Sequence, residues 1–218
     1  MAPKADFRLY FVTDRPLSRG RDITEIAAQA VAGGVTAVQL REKDCSSREF
    51  LQQALAMKKA LSGTGVPLII NDRADIALAC GAEGLHIGQS DMPFAQARAL
   101  LGPKAIIGLS VETPEQAAEA EGLNADYIGA SAVFPSGTKD VEHVWGLDGL
   151  AELRKMSRHR IVAIGGINAD NAGSVIAAGA DGIAVVSAIC AAGKPESVAA
   201  RLRAAVDRAL ERRTPAVI

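Results

Sequence analysis

The chain has 218 residues, of which 49% are hydrophobic and 22% are charged, and its formal net charge is -1. This composition is typical of a soluble globular protein, and it excludes the global basic field that would hold nucleic acid or an anionic membrane. Three dispersed cysteines without a CxxC pair argue against a disulfide framework and predict a cytoplasmic protein. No apolar run approaches the length that spans a membrane, and residues 1–6 lack the apolar core of a secretion signal.

Short apolar runs alternate with helical patterns along the whole chain. The pattern predicts eight buried strands, at residues 9–13, 34–38, 67–71, 84–88, 105–110, 126–129, 161–166 and 182–186. Asp22 and Ser46 are placed as caps of helices over residues 23–32 and 46–61. Thr113-Pro114 begins another helix, and Pro195 opens a last one that continues to about residue 212.

Buried strands that alternate with amphipathic helices are typical of a parallel sheet covered by helices. With eight such units, the chain is predicted to form a single (β/α)8 TIM barrel, an α/β fold, as one domain over residues 1–218. An open doubly wound sheet is the alternative. That fold usually has a glycine-rich turn after its first strand, where this chain has Asp14-Arg15-Pro16.

The second strand leaves the core at Gln39-Leu40-Arg41-Glu42-Lys43. Side chains alternate along a strand, so Gln39, Arg41 and Lys43 project to the same side. In a barrel, functional groups gather at the carboxyl ends of the strands. Two cations beside an amide there favour a ligand with several phosphate oxygens, although each residue alone also fits a solvated loop.

Two carboxylates follow the next two strands. Asp72 comes directly after Asn71, and Asp91 ends the segment His86-Ile87-Gly88-Gln89-Ser90-Asp91. Either aspartate alone fits the cap of the next helix. Opposite a cationic cluster, the pair indicates Mg²⁺, which takes one or two carboxylates and completes its shell with water and substrate phosphates. His86 is expected to pack inside the barrel rather than to bind a ligand.

The remaining strands also end in polar or glycine-rich segments. Ser110 ends the fifth strand, and because Thr113 already caps the next helix, Ser110 is predicted to bind a ligand. The long segment at residues 131–147 contains Pro135-Ser136-Gly137-Thr138-Lys139, which fits a plain surface turn or a phosphate cradle that closes as a lid. Gly165-Gly166 and Val186-Ser187, with a short helix over residues 187–190, are typical of phosphate binding through backbone N–H groups.

Together, these motifs resemble bacterial thiamine phosphate synthases over nearly the whole chain. The most specific are the Gln39-Leu40-Arg41-Glu42-Lys43 run and the Pro135-Ser136-Gly137-Thr138-Lys139 loop. Other matching motifs are Tyr10-Phe11-Val12-Thr13-Asp14, Asn71-Asp72-Arg73, Gly108-Leu109-Ser110, Ile164-Gly165-Gly166-Ile167 and Val186-Ser187-Ala188-Ile189. Two departures are Ser136, where the family usually has Thr, and Ala130-Ser131, which replaces the usual Gly-Pro.

The resemblance implies an Mg²⁺-dependent transferase of thiamine biosynthesis. Such an enzyme condenses 4-amino-2-methyl-5-hydroxymethylpyrimidine diphosphate with thiazole phosphate, and it releases pyrophosphate and thiamine phosphate. The implied catalytic residues are Arg41, Lys43 and Lys139, and the implied metal ligands are Asp72 and Asp91. The implied substrate-binding residues are Gln39, Arg41, Lys43, Asn71, Ser110 and Lys139 for the pyrimidine diphosphate, and Ser136, Thr138, Gly166, Val186 and Ser187 for the thiazole phosphate. Leu40 and Glu42, from the same run as Gln39, are also implied to bind substrate. The expected partners are these small molecules, and a homo-oligomer is compatible with the sequence.

Three other functions fit parts of the pattern. A thiazole tautomerase-like relative would share the barrel and the thiazole phosphate site, but it would need neither the diphosphate cluster nor the carboxylates. A non-catalytic sensor would bind a phosphorylated thiamine without turnover. A phosphosugar epimerase or isomerase would require a positioned acid–base pair, which the sequence does not show beyond the two aspartates. Release of pyrophosphate from the two substrates distinguishes the synthase from all three.

Overall fold

The computed structural model describes residues 5–135 and 143–213. Eight parallel strands pair in chain order, and β1 also pairs with β8, so the sheet closes into a barrel. The predicted (β/α)8 fold is confirmed. The strands are β1 (Leu9–Val12), β2 (Ala37–Leu40), β3 (Leu68–Asn71), β4 (Gly84–Ile87), β5 (Ile106–Val111), β6 (Tyr127–Ser131), β7 (Ile161–Ile164) and β8 (Gly182–Val185).

Helices surround the barrel, and three of them begin at the caps predicted from the sequence. The Asp22 side chain accepts a hydrogen bond from Thr24 N at 2.8 Å, Ser46 forms the reciprocal box with Glu49, and Thr113 accepts from Gln116 N at 3.3 Å. A 3-10 turn at Pro16–Ser18 follows β1. The helices of the described residues are α1 (Ile23–Ala32), α2 (Ser47–Ala60), α3 (Ala74–Cys80), α4 (Phe94–Leu101), α5 (Pro114–Ala120), α6 (Gly146–Met156), α7 (Ala172–Ala177), α8 (Ser187–Cys190) and α9 (Pro195–Arg213).

The strand side chains divide into two apolar layers, as the period of two requires. Leu9 and Phe11 of β1 face outward and belong to the large core between the sheet and the helices. Tyr10 belongs to a smaller cluster inside the barrel, together with Phe7 and Tyr127. The ring centroids of Phe7 and Tyr127 are 4.5 Å apart. Because Phe7 precedes β1, aromatic rings fill the amino end of the barrel and leave the carboxyl end open for a cavity.

Two glycines make room for the rings inside the barrel. A Cβ atom at Gly108 of β5 would lie 2.0 Å from Tyr127 Cζ, which no packing can accommodate. A Cβ atom at Gly129 of β6 would lie 3.2 Å from His86 Cε1. Side chains at these two strand positions would occupy the space that Tyr127 and His86 use, so the glycines determine where these polar rings lie.

The cysteines offer no activated thiol. All three are free, and both Cys80 and Cys190 are buried. Burial raises the pKa of the Cys190 thiol to about 11. Cys190 is therefore a thiol at neutral pH rather than a nucleophilic thiolate. Among the described helices, none combines the length and the apolar composition needed to cross a bilayer.

Candidate active site

A cavity of about 860 Å³ opens at the carboxyl ends of the strands. Its size falls in the range of small-molecule sites. Most of the site residues predicted from the sequence line it, namely Gln39, Arg41, Lys43, Asn71, Asp72, Asp91, Ser110, Gly166, Val186 and Ser187. Three further predicted residues, Ser136, Thr138 and Lys139, lie outside the described residues, as does the central part of the expected lid.

Leu40 and Glu42 have a different environment from their neighbours in the sequence. Leu40 is fully buried in the core between the sheet and the helices. The Glu42 side chain is 4% exposed, and its Oε2 accepts a hydrogen bond from Arg15 Nε at 3.0 Å. Neither residue is among those that line the described part of the cavity. Because side chains alternate along the run, Gln39, Arg41 and Lys43 line the cavity, whereas the side chains of Leu40 and Glu42 point away from it.

The two cations that line the cavity are held by neighbouring strand ends. Arg41 Nη1 lies 3.3 Å from Asp14 Oδ2, and the Arg41 backbone N–H donates to Thr13 Oγ1 at 3.0 Å. Lys43 Nζ lies 2.5 Å from Asp72 Oδ2, and its side chain is 49% exposed. Residues after β1 and β3 thus orient the two cations at the mouth of the cavity, where a polyanionic ligand can reach them.

The two carboxylates lie side by side and do not cap helices. Helices α3 and α4 begin after Arg73 and Pro93 without a side-chain cap hydrogen bond, so the alternative of helix capping is excluded for both aspartates. Asp91 Oδ2 accepts from Gly88 N at 2.7 Å. Burial raises the pKa of the Asp91 carboxyl and the nearby Asp72 raises it further, while the Gly88 N–H and Lys43 oppose the rise.

This carboxylate pair fits Mg²⁺. Carboxylate oxygens are ligands that Mg²⁺ prefers. Burial is the main cause of the raised pKa of Asp91, and a divalent cation would relieve the smaller part of the rise that comes from the nearby Asp72. In residues 5–135 and 143–213, no group of three or more His, Cys, Asp or Glu side chains could hold a metal ion. The pair would therefore hold the ion together with water and substrate phosphates, as is usual for magnesium.

A row of hydrogen bonds crosses the inner wall of the cavity, and sequence reasoning did not find it. It runs from Gln39 through Tyr10, Tyr127 and His86 to Ser110, and every one of these residues lines the cavity. His86 lies within its strand as expected. Its ring is not only packed inside the barrel, however, because it also borders the cavity and forms a hydrogen bond with Ser110. One signal in the sequence was available, because the chain has only two tyrosines and both fall in predicted buried strands, where a hydroxyl needs a partner.

Glycines after β7 bring the opposite wall close to the segment that follows β6. Gly166 has φ +62°, and a Cβ atom there would lie 2.8 Å from Phe134 Cβ and 2.9 Å from Pro135 O. Only glycine combines that conformation with that close approach. Ser187 begins the short helix α8 beside the cavity, and the first N–H groups of a helix lack partners within it. Backbone N–H groups on this wall can therefore bind an anion.

The fold and the site together indicate a class of enzyme. Cations, carboxylates and glycine-bounded loops at the carboxyl ends of a (β/α)8 barrel are the arrangement of an enzyme that acts on phosphorylated small molecules. Residues 9–189 match the family model for thiamine monophosphate synthase, and the chain belongs to this family. The family predicted from the motifs is thus confirmed.

Relatives support this placement over nearly the whole chain. A thiamine-phosphate synthase from Albidiferax ferrireducens is 54% identical over 201 residues, which are 92% of each protein. Another, from Vibrio parahaemolyticus, is 50% identical over 92% of this chain and 98% of the relative. The solved structure of a thiamine phosphate pyrophosphorylase from Pyrococcus furiosus has a TM-score of 0.87 at 38% identity and covers 95% of this chain and 98% of its own. A 3-hexulose-6-phosphate synthase, at 20% identity and a TM-score of 0.67 over 91% of this chain and 99% of its own, shares the fold.

Proposed function

We propose that the chain joins the methylene carbon of an aminopyrimidine diphosphate to the ring nitrogen of a thiazole phosphate. The products are thiamine phosphate and pyrophosphate. The observation that carries this proposal is that Arg41, Lys43, Asp72 and Asp91 line one cavity, in which Lys43 contacts Asp72. A diphosphate needs such a cluster when it leaves, whereas a thiazole tautomerase or a phosphosugar isomerase does not.

The reaction needs help for the leaving group rather than a general base. The thiazole nitrogen uses its own lone pair to form the new C–N bond, and the electron pair of the broken C–O bond leaves with pyrophosphate. The electron-rich aminopyrimidine stabilises positive charge on the methylene carbon, which favours a dissociative path. Arg41 and Lys43, with Lys139 assigned from the resemblance, stabilise the negative charge as it develops on the departing diphosphate.

The carboxylates complete the leaving-group site. Mg²⁺ held by Asp72 and Asp91 would supply additional positive charge to the pyrophosphate oxygens. Lys43 already contacts Asp72, so it is positioned to bridge the metal site and the diphosphate. Asp91, fixed by the Gly88 N–H, presents its carboxylate from the neighbouring strand end.

The remaining assignments place the two substrates on opposite walls. Gln39, Asn71 and Ser110 hold the pyrimidine diphosphate in this proposal. Leu40 and Glu42, assigned from the resemblance, belong to the same run but do not line the described part of the cavity. The thiazole phosphate is held by Gly166, Val186, Ser187, Ser136 and Thr138. Positioning both substrates in one cavity replaces a bimolecular encounter with an oriented one, which is a large part of the catalytic effect.

We also propose that residues 1–218 form one domain that works in the cytoplasm. The described strands close one barrel, which supports the first part. The three free cysteines fit a reducing compartment, which supports the second. Association into a homo-oligomer stays a prediction.

The test is to mix the purified protein with both substrates and Mg²⁺ and to follow pyrophosphate release. Release should require all three additions, with thiamine phosphate formed in equal amount. A thiazole tautomerase would convert thiazole phosphate alone, and a sensor would bind thiamine phosphate without turnover. Failure to release pyrophosphate with both substrates and Mg²⁺ present would reject the synthase proposal.

A further inference from the structure

We propose that Tyr10, Tyr127 and His86 form a directional hydrogen-bond relay that turns Ser110 into a hydrogen-bond donor toward the cavity. The relay fixes His86 as the neutral tautomer with its proton on Nε2. The three residues are positioning residues, because they act on the ligand through Ser110. The inference rests on the proposed function in one respect only, that the group accepting the hydrogen bond from Ser110 is an oxygen of the diphosphate.

The relay is continuous and crosses the barrel from β2 to β5. Gln39 Nε2 lies 3.0 Å from Tyr10 Oη, and Tyr10 Oη lies 2.9 Å from Tyr127 Oη. Tyr127 Oη lies 2.9 Å from His86 Nδ1, and His86 Nε2 lies 2.9 Å from Ser110 Oγ. Every separation is that of a normal hydrogen bond. Five side chains from five different strands are thus connected through single protons.

The protons along this row are countable. Burial raises the pKa of both tyrosine hydroxyls well above the usual value, so each keeps one proton. Gln39 Nε2 has no lone pair to offer and must donate to Tyr10. The Tyr10 hydroxyl then donates a hydrogen bond to Tyr127 Oη, and the Tyr127 hydroxyl donates one to His86 Nδ1. A ring nitrogen that accepts carries no proton, so the imidazole proton is on Nε2 and points to Ser110 Oγ.

The opposite direction is disfavoured by the Tyr10 hydroxyl. If His86 carried its proton on Nδ1, Tyr127 would accept from His86 and would donate to Tyr10. Tyr10 would then accept from both Gln39 and Tyr127. In the part of the chain that the structure describes, the Tyr10 hydroxyl bonds only these two side chains, so its own proton would have no acceptor. A buried donor without an acceptor loses its hydration without replacement, and the forward direction avoids this loss.

The forward direction determines which ligands Ser110 favours. Because Ser110 Oγ accepts from His86, its own hydroxyl proton is available to a ligand. A hydroxyl poised to donate favours an anionic oxygen, and it does not favour an amino group that must itself donate. Ser110 lies on the same cavity wall as the Asp72 and Asp91 strand ends, where the proposed function places the diphosphate. The relay therefore selects for an anion at this position.

Nitrogen NMR of the free protein with labelled histidines tests the relay without any substrate. The chain has three histidines, and the His86 signals are assigned by their loss in His86→Gln. At mildly alkaline pH, His86 should show an unprotonated, pyridine-like Nδ1 and a protonated, pyrrole-like Nε2. The reverse pattern in the wild-type protein would overturn the proposal.

Two matched variants separate a relay from mere packing. Tyr10→Phe and Tyr127→Phe each remove one hydroxyl from a buried ring. In Tyr10→Phe, Tyr127 still donates to His86, so the Nε2–H tautomer should be retained. In Tyr127→Phe, Nδ1 loses its donor, so both tautomers should be populated. The same tautomer pattern in the two variants would contradict the relay, and if Tyr127→Phe fails to fold, the wild-type and Tyr10→Phe spectra still decide.

Kinetics provide a second readout for the same pair. Loss of one ordered hydrogen bond at Ser110 should lower kcat/KM for the pyrimidine diphosphate roughly three- to tenfold in Tyr127→Phe, with KM for thiazole phosphate unchanged. An equal rise in both KM values would contradict an action of the relay through Ser110 on the pyrimidine diphosphate. The His86 tautomer is measured in the free protein, without substrate. The relay proposal can therefore be refuted although the protein releases pyrophosphate, and it can be supported although the protein does not. The relay and the proposed synthase function are thus tested independently.

Discussion

Lys43 is the residue whose replacement best separates an effect on rate from an effect on stability. Its ammonium lies 2.5 Å from Asp72 Oδ2, but the Lys43 side chain is 49% exposed. Solvent screens such a pair, so it stabilises the fold by at most about 1 kcal/mol. Removing one electrostatic donor to a developing negative charge lowers the rate roughly 10²- to 10³-fold, or about 2.7–4 kcal/mol. Lys43→Ala should therefore reduce kcat/KM by about that factor and leave the free energy of unfolding nearly unchanged.

The assay pairs continuous measurement of pyrophosphate release with urea unfolding of the same preparation. Lys155→Ala is the matched control, because Lys155 forms an exposed ion pair of 2.7 Å with Glu152 in the last turn of α6, outside the cavity lining. It should keep wild-type activity. Lys43→Arg, which keeps the charge, should recover part of the lost rate. A Lys43→Ala enzyme within tenfold of wild type, or one whose instability accounts for the whole loss, would refute the reasoning.

Three further predictions follow from the same geometry. Folding raises the pKa of Asp91, so the contribution of this carboxyl to stability increases as pH falls through that pKa, and Asp91→Asn should remove this part of the pH dependence of Tm. We also expect Mg²⁺ with pyrophosphate to raise the Tm of the wild-type protein, and Asp91→Asn should abolish that rise. Gly166→Ala should lower the free energy of unfolding by about 1–3 kcal/mol in urea, because its Cβ would press on Phe134. Asp22→Ala should lower it by about 1 kcal/mol through loss of the α1 cap, with both KM values unchanged.

The architecture was predictable because its signals are local. The cap at Asp22 and the capping box at Ser46 placed two helix starts where the structure has them. The prediction of the β2 boundaries was less accurate, because the strand was predicted over residues 34–38 and the structure has it at Ala37–Leu40. Gly34 has φ +100°, and residues 34–36 are used to turn the chain from α1 into the sheet. Hydrophobicity alone does not distinguish such a buried turn from the strand that follows it.

The charged part of the site was predictable for a different reason. In a barrel, all strand ends share one rim, so Arg41, Lys43 and Asp72 had to approach one another whatever the packing inside. The relay depends on which side chains face inward and on the space that each finds there. Tyr127 fits only because β5 has a glycine at position 108, which pairs with Tyr127 in the register. That is a contact between distant segments, and no local pattern in the sequence records it.

His86 connects the charged rim to the uncharged relay. Its carbonyl oxygen accepts from Asp72 N at 2.8 Å, and its ring bonds Tyr127 and Ser110. Asp72 has φ +63°, a conformation that most residues avoid and that aspartate tolerates better than larger side chains. Because β4 holds Asp72 in this conformation through the His86 backbone, the carboxylate and the Ser110 hydroxyl are positioned by one residue. A change in the backbone at His86 would therefore affect the positions of the proposed metal ligand Asp72 and of the Ser110 hydroxyl together.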